Sequence, residues 1–365
     1  MKKKIISMIL SVAMVASMMV GCGDSGSSTS TSTETTSTET ATTEESSDAP
    51  GGYAGEKIEL NYSNSSTPES QTGVAFGFAK EYMADASDGQ ITLNLHWNGS
   101  LFTQDQDLPA CIKGSVDFIS TQPAYISEYM PEYGFLTSAY FFESVNHWET
   151  FYASDIWAEM VENIASTVGV RVLSVETPGT RTINLRTDQE ILSRDDLSSV
   201  KLRAQNSEAW LFLAEALGGN ATPIAYSELY LSLQTGAVDG SEVTLISIKD
   251  MCLYEVLTSV TMSQHVVETN WIIINEDRWQ NFTDEEREIV KAGITVETDF
   301  IINAGKENEG DLIALCEENG MTVYQPTTEQ LTPYIQEVRE YYSTNEAISK
   351  DWDMELYNAI QALAQ

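Results

Sequence analysis

Basic residues are scarce in this 365-residue chain: 19 Lys and Arg stand against 55 Asp and Glu, a formal net charge of −36. Nucleic-acid binding needs cations clustered along a phosphate path, and here there are too few to cluster. The same deficit disfavours an anionic membrane surface as a partner for the folded body. Three histidines and four cysteines leave little material for metal chemistry. No G-x-G-x-x-G, Walker A, G-x-S-x-G or H-E-x-x-H sequence occurs, and no EF-hand loop, so dinucleotide, P-loop, hydrolase-elbow and zincin sites have no motif to stand on. With so many carboxylates, acid pairs arise at any spacing by chance. Arg194-Asp195-Asp196, for example, reads simply as a loop and a helix start. No cofactor, no metal and no catalytic constellation is expected. The chain is not a disordered acidic tail either, because 42% of its residues are hydrophobic.

What is present begins with a leader. Lys2, Lys3 and Lys4 precede an apolar stretch from Ile5 to Val20, the pattern of a secretory signal. The stretch ends Met19-Val20-Gly21-Cys22, which resembles a bacterial lipobox with Met19 where Leu is usual; Cys22 is then the expected lipidation site and residues 1–21 the removed signal. Residues 22–52 are nearly all Ser, Thr, Gly and Glu, with no apolar period, and read as a disordered stalk. Lipid and stalk together predict an extracytoplasmic, lipid-anchored body. With Cys22 acylated, Cys111, Cys252 and Cys316 are an odd number in apolar surroundings and read as small buried hydrophobes, one disulfide remaining an alternative.

From Ile58 onward strands and helices alternate. Ile58–Ser63 and Ile91–Leu95 alternate apolar and polar residues as half-buried strands do. Val116–Ile119, Val170–Val175, Arg181–Arg186 and Val200–Ala204 are further strands; helices are expected after Thr67-Pro68-Glu69-Ser70, over Asp105–Ile112 and over Glu208–Leu217. That alternation predicts an α/β fold with largely parallel sheets. Thr283 to Asn319 lacks proline and opens with a capping-box-like Thr283-Asp284-Glu285-Glu286. A helix that long runs about 55 Å, enough to cross two small domains.

Because arginine is rare, position matters. Arg203 ends the strand Val200-Lys201-Leu202-Arg203-Ala204, and a helix follows with Asn206 or Ser207 as a cap. Open α/β sheets bind ligands beyond their strand C-termini, helix starts attract anions, and a guanidinium forks onto a carboxylate. The composite is a candidate carboxylate clamp.

The segments Val200-Lys201-Leu202-Arg203, Ala216-Leu217-Gly218-Gly219, Pro223-Ile224-Ala225-Tyr226-Ser227-Glu228-Leu229-Tyr230 and Leu233-Gln234-Thr235-Gly236-Ala237-Val238-Asp239-Gly240 resemble the signature of TRAP-transporter solute-binding proteins of the DctP family. Lys113-Gly114-Ser115-Val116-Asp117-Phe118 and Pro178-Gly179-Thr180-Arg181 add to the likeness, which runs from about Lys57 to Tyr341. The resemblance implies a two-lobe periplasmic-binding-protein-like α/β fold with a hinge and one long helix spanning both lobes. Lobe I is expected at 53–178 plus about 269–305, and lobe II at 179–268 plus about 306–365. It further implies a receptor, not an enzyme, that captures a small organic acid between the lobes and delivers it to large and small membrane permease subunits.

Residue by residue, the resemblance makes Arg203 the carboxylate partner and Arg181 a second cleft arginine. Asn206, Tyr226 and Gln122 become ligand contacts, and Asn270 and Trp271 fall where the chain re-enters the first lobe. The family usually continues after Asp239-Gly240 with an acid and then Asn; here Ser241-Glu242-Val243 follows, placing Glu242 and Val243 at the site and removing an amide, with Thr244 a stand-in. Ser138-Ala139-Tyr140 replaces a common Leu-Pro-Phe. A lost amide beside added Tyr and Trp suggests a more apolar or aromatic acid. The alternative reading is the lipoprotein receptor of an ATP-driven importer or of a sensory system.

Overall fold

The computed structural model describes residues 53–307 and 309–364; Cys22, the signal and the whole of the expected stalk lie outside them. Two sheets organise the chain. The first has strand order β2-β1-β3-β10-β4, from β1 (Ile58–Ser63), β2 (Ile91–His96), β3 (Phe118–Thr121), β4 (Val170–Glu176) and β10 (Asn270–Asn275). The second has order β11-β9-β5-β8-β6-β7, from β5 (Arg181–Leu185), β6 (Lys201–Ala204), β7 (Asn220–Pro223), β8 (Gly240–Thr244), β9 (Ser259–Thr261) and β11 (Thr322–Tyr324). Each sheet with its helices is one lobe.

The sheets are mixed rather than largely parallel. β10 runs antiparallel to β3 and β4, and β5 antiparallel to β8 and β9. The cause is the crossing: the chain leaves the first sheet through β4, enters the second as β5, leaves it after β9 and returns as β10. The outgoing and returning segments therefore run in opposite senses. They pair at the crossing itself, where Thr180 bridges Val267 and the Arg181 N–H donates to the Val266 carbonyl at 2.9 Å. These two paired strands are the hinge.

Apolar residues fill both faces of each sheet. In β10, Trp271 and Ile273 enter one cluster with Ile119, Val170 and Val172, whereas Ile272 and Ile274 enter the opposite one with Leu60, Tyr62 and Phe118. That period of two is what a strand imposes. In the second sheet, Ile183 and Leu202 belong to one cluster and Val243 and Val260 to the other.

The expected long helix is present as Asp284–Glu307 followed by Glu309–Glu318. The first piece packs on the helix Gln71–Ala86 and on β4, and the second on the helix Leu245–Asp250 and on β11. Gly305 lets this helix pass close to the crossing, since a Cβ there would lie a tight 3.3 Å from the Thr177 carbonyl oxygen. The C-terminus departs from the expected boundary at 306–365. The helix Thr328–Thr344 stays with the second lobe, but Met354–Gln361 returns to the first, where Ile360 is buried and its carbonyl accepts from His147 Nε2 at 2.9 Å. Leu356, Tyr357 and Ile360 carry enough apolar surface to be drawn into that cluster. Cys111, Cys252 and Cys316 are free thiols.

Candidate functional site

A cavity of about 100 Å³ lies between the lobes, several times the roughly 10–15 Å³ a single water needs. Its walls come largely from the C-terminal ends of strands: residues just beyond β1, the ends of β3, β4, β6 and β8, and the start of the returning β10, with Gln104 and Asp107 of the helix Gln104–Ile112 beside them. This is where an open α/β sheet leaves backbone groups and loops free to meet a ligand. The two lobes touch across it. The Gln71 N–H donates to Asp250 Oδ2 at 2.9 Å, and Tyr125 Oη donates to Gln205 Oε1 at 3.2 Å.

Arg203 is fully buried at the end of β6 and lines the cavity. Its Nε donates to the Ile224 carbonyl at 2.9 Å, while Nη1 and Nη2 have no partner. Burial pulls its pKa down to about 10, the mark of a desolvated cation lacking a counter-ion; Glu242 only partly offsets this. Tyr226 lies beneath it, with the guanidinium carbon 5.9 Å from the ring centre. Two adjacent unpaired Nη groups in a buried pocket form a fork suited to two oxygens.

Arg181 also lines the cavity, but its donors are taken. Nη2 donates to Glu242 Oε1 at 2.8 Å and to the Glu242 carbonyl, Nε donates to Glu242 Oε2, and Nη1 pairs with Glu268. Its guanidinium sits 4.3 Å over the Trp210 ring. Burial pushes the Glu242 carboxyl up, but the Arg181 charge and a contact with His265 outweigh it and hold it below its ordinary value. His265 Nε2 is 3.5 Å from Glu242 Oε2, and burial lowers the imidazole, so this is a neutral ring beside a carboxylate. Arg181 thus ties the outgoing strand to β8 and to the returning segment, directly below the hinge.

Of the remaining expected contacts, Gln122, Tyr226, Val243 and Asn270 line the cavity, as does Thr244. Gln122 Nε2 donates to Glu268 Oε1 and, at 3.3 Å, to Asn270 Oδ1; its own Oε1 is left without a partner. Glu242 spends its side chain on Arg181. Asn206 is exposed, its Nδ2 donating to Asp105 Oδ2 at 3.1 Å across the cleft mouth, in a groove separate from the cavity. Gln205 faces the cavity instead, as strand alternation continued from Arg203 implies. Trp271 is a core residue, 5.0 Å from the Trp157 ring with Nε1 donating to Tyr152 Oη. The aromatic-acid expectation loses its footing with it, because polar side chains dominate the cavity wall.

Three acids at this cavity escaped the sequence reading. Asp107 is 3% exposed, lines the wall from the helix Gln104–Ile112, and makes no hydrogen bond through Oδ1; burial lifts it to about 7, against the opposing pull of the nearby Ser63 hydroxyl, which is itself too poorly placed to form a full hydrogen bond. Glu176 ends β4 and meets Glu297 of the long helix. Both are buried, which lifts Glu176 to about 7 and Glu297 well above its ordinary value, so burial and mutual repulsion favour the protonated forms. Glu268 completes the set beside Arg181. No local signal marks any of them, since each is an ordinary acid until the fold buries it.

The model of the family described as bacterial extracellular solute-binding protein, family 7 (DctP) matches residues 62–348. The sialic acid-binding periplasmic protein SiaP of Vibrio cholerae is 26% identical over 263 residues, 72% of this chain and 81% of that protein. The C4-dicarboxylate-binding periplasmic protein DctP of the same organism is 23% identical over 61% of this chain and 66% of its own length. A TRAP periplasmic solute-binding protein of Roseobacter denitrificans, solved with 3-deoxy-D-manno-oct-2-ulosonic acid, superposes with a TM-score of 0.78 at 29% identity, covering 84% of this chain and all of that one. The galactonate complex of the sugar acid binding protein of Advenella mimigardefordensis superposes at 0.77 with 22% identity, covering 85% and 98%. No helix among the described residues is long and apolar enough to cross a membrane.

Proposed function

The chain belongs to family 7 of the bacterial extracellular solute-binding proteins, and from that premise we propose that it is the receptor of a TRAP transporter. It captures a small organic acid between its lobes and hands it to the membrane subunits. The observation that carries the acid is Arg203: a fully buried guanidinium whose two Nη groups face a cavity and meet nothing. A ligand carboxylate supplies the missing partners and the missing charge. Tyr226, Gln122 and Asn270 are the neighbouring contacts, and Arg181 holds the hinge below them. Ligand energy closes the cleft only to the extent that the closed form binds it better. On this reading the paired segments at the crossing are the hinge, and the cross-cleft contacts at Asp250 and Gln205 belong to the closed form that the ligand favours. Cys22, in its lipobox-like setting, is proposed as the lipid anchor that holds this receptor, rather than a catalyst, at the membrane.

The test is thermal unfolding of the stalk-less body with organic acids, their matched amides and neutral sugars. A ligand at 100 times its dissociation constant adds about 2.7 kcal/mol. The expected result is a shift with an acid and none with its amide. Shifts confined to neutral sugars would reject the carboxylate mechanism.

A further inference from the structure

The unpaired polar atoms around the cavity are not mixed. The second lobe contributes the donors, Nη1 and Nη2 of Arg203. The first lobe contributes oxygens: Asp107 Oδ1, Glu176 Oε2 and Gln122 Oε1, the last fixed as oxygen because Nε2 is spent on Glu268 and Asn270. No Lys, Arg or His of the first lobe lines the cavity; its two cations both come from the second sheet, and Arg181 is neutralised by Glu242 and Glu268. Resting on the carboxylate reading of Arg203, we propose that the cleft is polarised across the lobes. It admits a monocarboxylate whose far end carries hydrogen-bond donors, it rejects a dicarboxylate, and Asp107 sets that choice.

The physical grounds are desolvation and charge. Once Arg203 has taken one carboxylate, a second one reaching the first lobe finds no cation and stands beside Asp107, with Glu176 in the same wall. Like charges brought together in a dry interface oppose binding strongly. A hydroxyl or ammonium group in the same place gives Asp107 Oδ1 the donor it lacks, and a buried acceptor left unpaired is costly. Asp107 is therefore a specificity residue acting on the ligand's far end, opposite the clamp.

The test uses ligand pairs that differ only at that end: galactonate against galactarate, gluconate against glucarate, and 4-hydroxybutyrate against succinate. 4-Aminobutyrate serves to separate an ammonium from a hydroxyl. Titration calorimetry at pH 8, above the value of about 7 to which burial lifts Asp107, reads each affinity. In every pair with measurable binding the monocarboxylate is expected to bind at least tenfold tighter. Asp107→Asn, whose amide can donate, is expected to shrink that ratio at least tenfold by weakening the monoacid and strengthening the diacid. A diacid that binds as well as its monoacid in the wild-type protein overturns the inference, and that comparison needs no variant to fold. So does an Asp107→Asn protein that binds but keeps the ratio. The parent reading fails separately: if Arg203→Ala leaves affinity intact, or no acid binds, the carboxylate clamp is wrong and the inference falls with it.

Discussion

Arg181 and Arg203 stand on neighbouring regions of one lobe, both buried and both at the cavity wall. One region is complete without a ligand and the other is not. At the hinge, Arg181 has two glutamates and a carbonyl; at the cleft, Arg203 has one carbonyl and two bare Nη groups. Burial alone would depress both guanidiniums. It wins at Arg203, whereas the charges of Glu242 and Glu268 overcome it at Arg181 and raise that group instead. A buried cation is a structural element when the fold supplies its anion, and a binding site when the anion has to come from outside.

The sharpest way to break this contrast is to remove each arginine in turn. Arg181→Ala leaves Glu242 and Glu268 buried and uncompensated, and is expected to cost about 3–5 kcal/mol of stability, read by urea unfolding. A cost below about 1 kcal/mol would mean the hinge cluster is not what holds the lobes. Arg203→Ala should act on the other quantity. Losing one partner of a desolvated pair costs about 2–5 kcal/mol of binding, a fall of roughly 30- to several-thousand-fold, while unliganded stability stays level or rises because an unpaired buried charge is gone. A threefold change in affinity would reject the clamp. Arg203→Lys should also bind poorly, because a point charge does not reproduce the fork.

The sequence displayed Arg203 well: a strand end, a capped helix and a rare residue type all fall within a few positions. The fate of Arg181 was not legible, because the acids that neutralise it lie 61 and 87 positions away. Trp271 shows a related blind spot. A run such as Trp271-Ile272-Ile273-Ile274 announces a strand buried on both faces, but not which face looks at the cleft. Asp107 and Asp105 likewise both read as acids suited to a helix first turn; only the packed lobes bury one and leave the other at the cleft mouth. The parallel expectation failed for a topological reason, since a chain that crosses between lobes and returns must reverse direction.

A smaller test concerns the buried carboxyls of Glu176, at the end of β4, and Glu297, on the long helix. Both carboxyls sit above their ordinary value chiefly through burial. In the unfolded chain they ionise near pH 4.3, so above that the folded state holds extra protons, Glu176 up to about 7. Stability from this pair is therefore present at low pH and is lost as pH rises through that window. Glu297→Gln keeps a donor toward Glu176 and removes one ionisation. It is expected to stabilise the protein at pH 8, with a gain that shrinks toward pH 5. Melting curves giving an equal gain at both values would show that burial does not raise these carboxyls.

The least effect is expected at the cleft mouth, and its form matters more than its size. Asn206 falls where the resemblance places a ligand contact, yet its amide donates to Asp105 of the opposite lobe in an exposed setting outside the cavity. A ligand contact and a cross-cleft latch predict different double-mutant behaviour. If Asn206 touched ligand, Asn206→Ala would weaken binding independently of Asp105. As a latch it favours the closed form only through its partner, so Asn206→Ala and Asp105→Ala should each lower affinity by the same modest factor. About threefold or less is expected, in line with an exposed hydrogen bond near 0.5 kcal/mol. The double variant should lose no more than either single one, since residues in contact are not additive. Additive losses would return Asn206 to the ligand and place the binding site nearer the cleft mouth than the free Nη groups of Arg203 indicate.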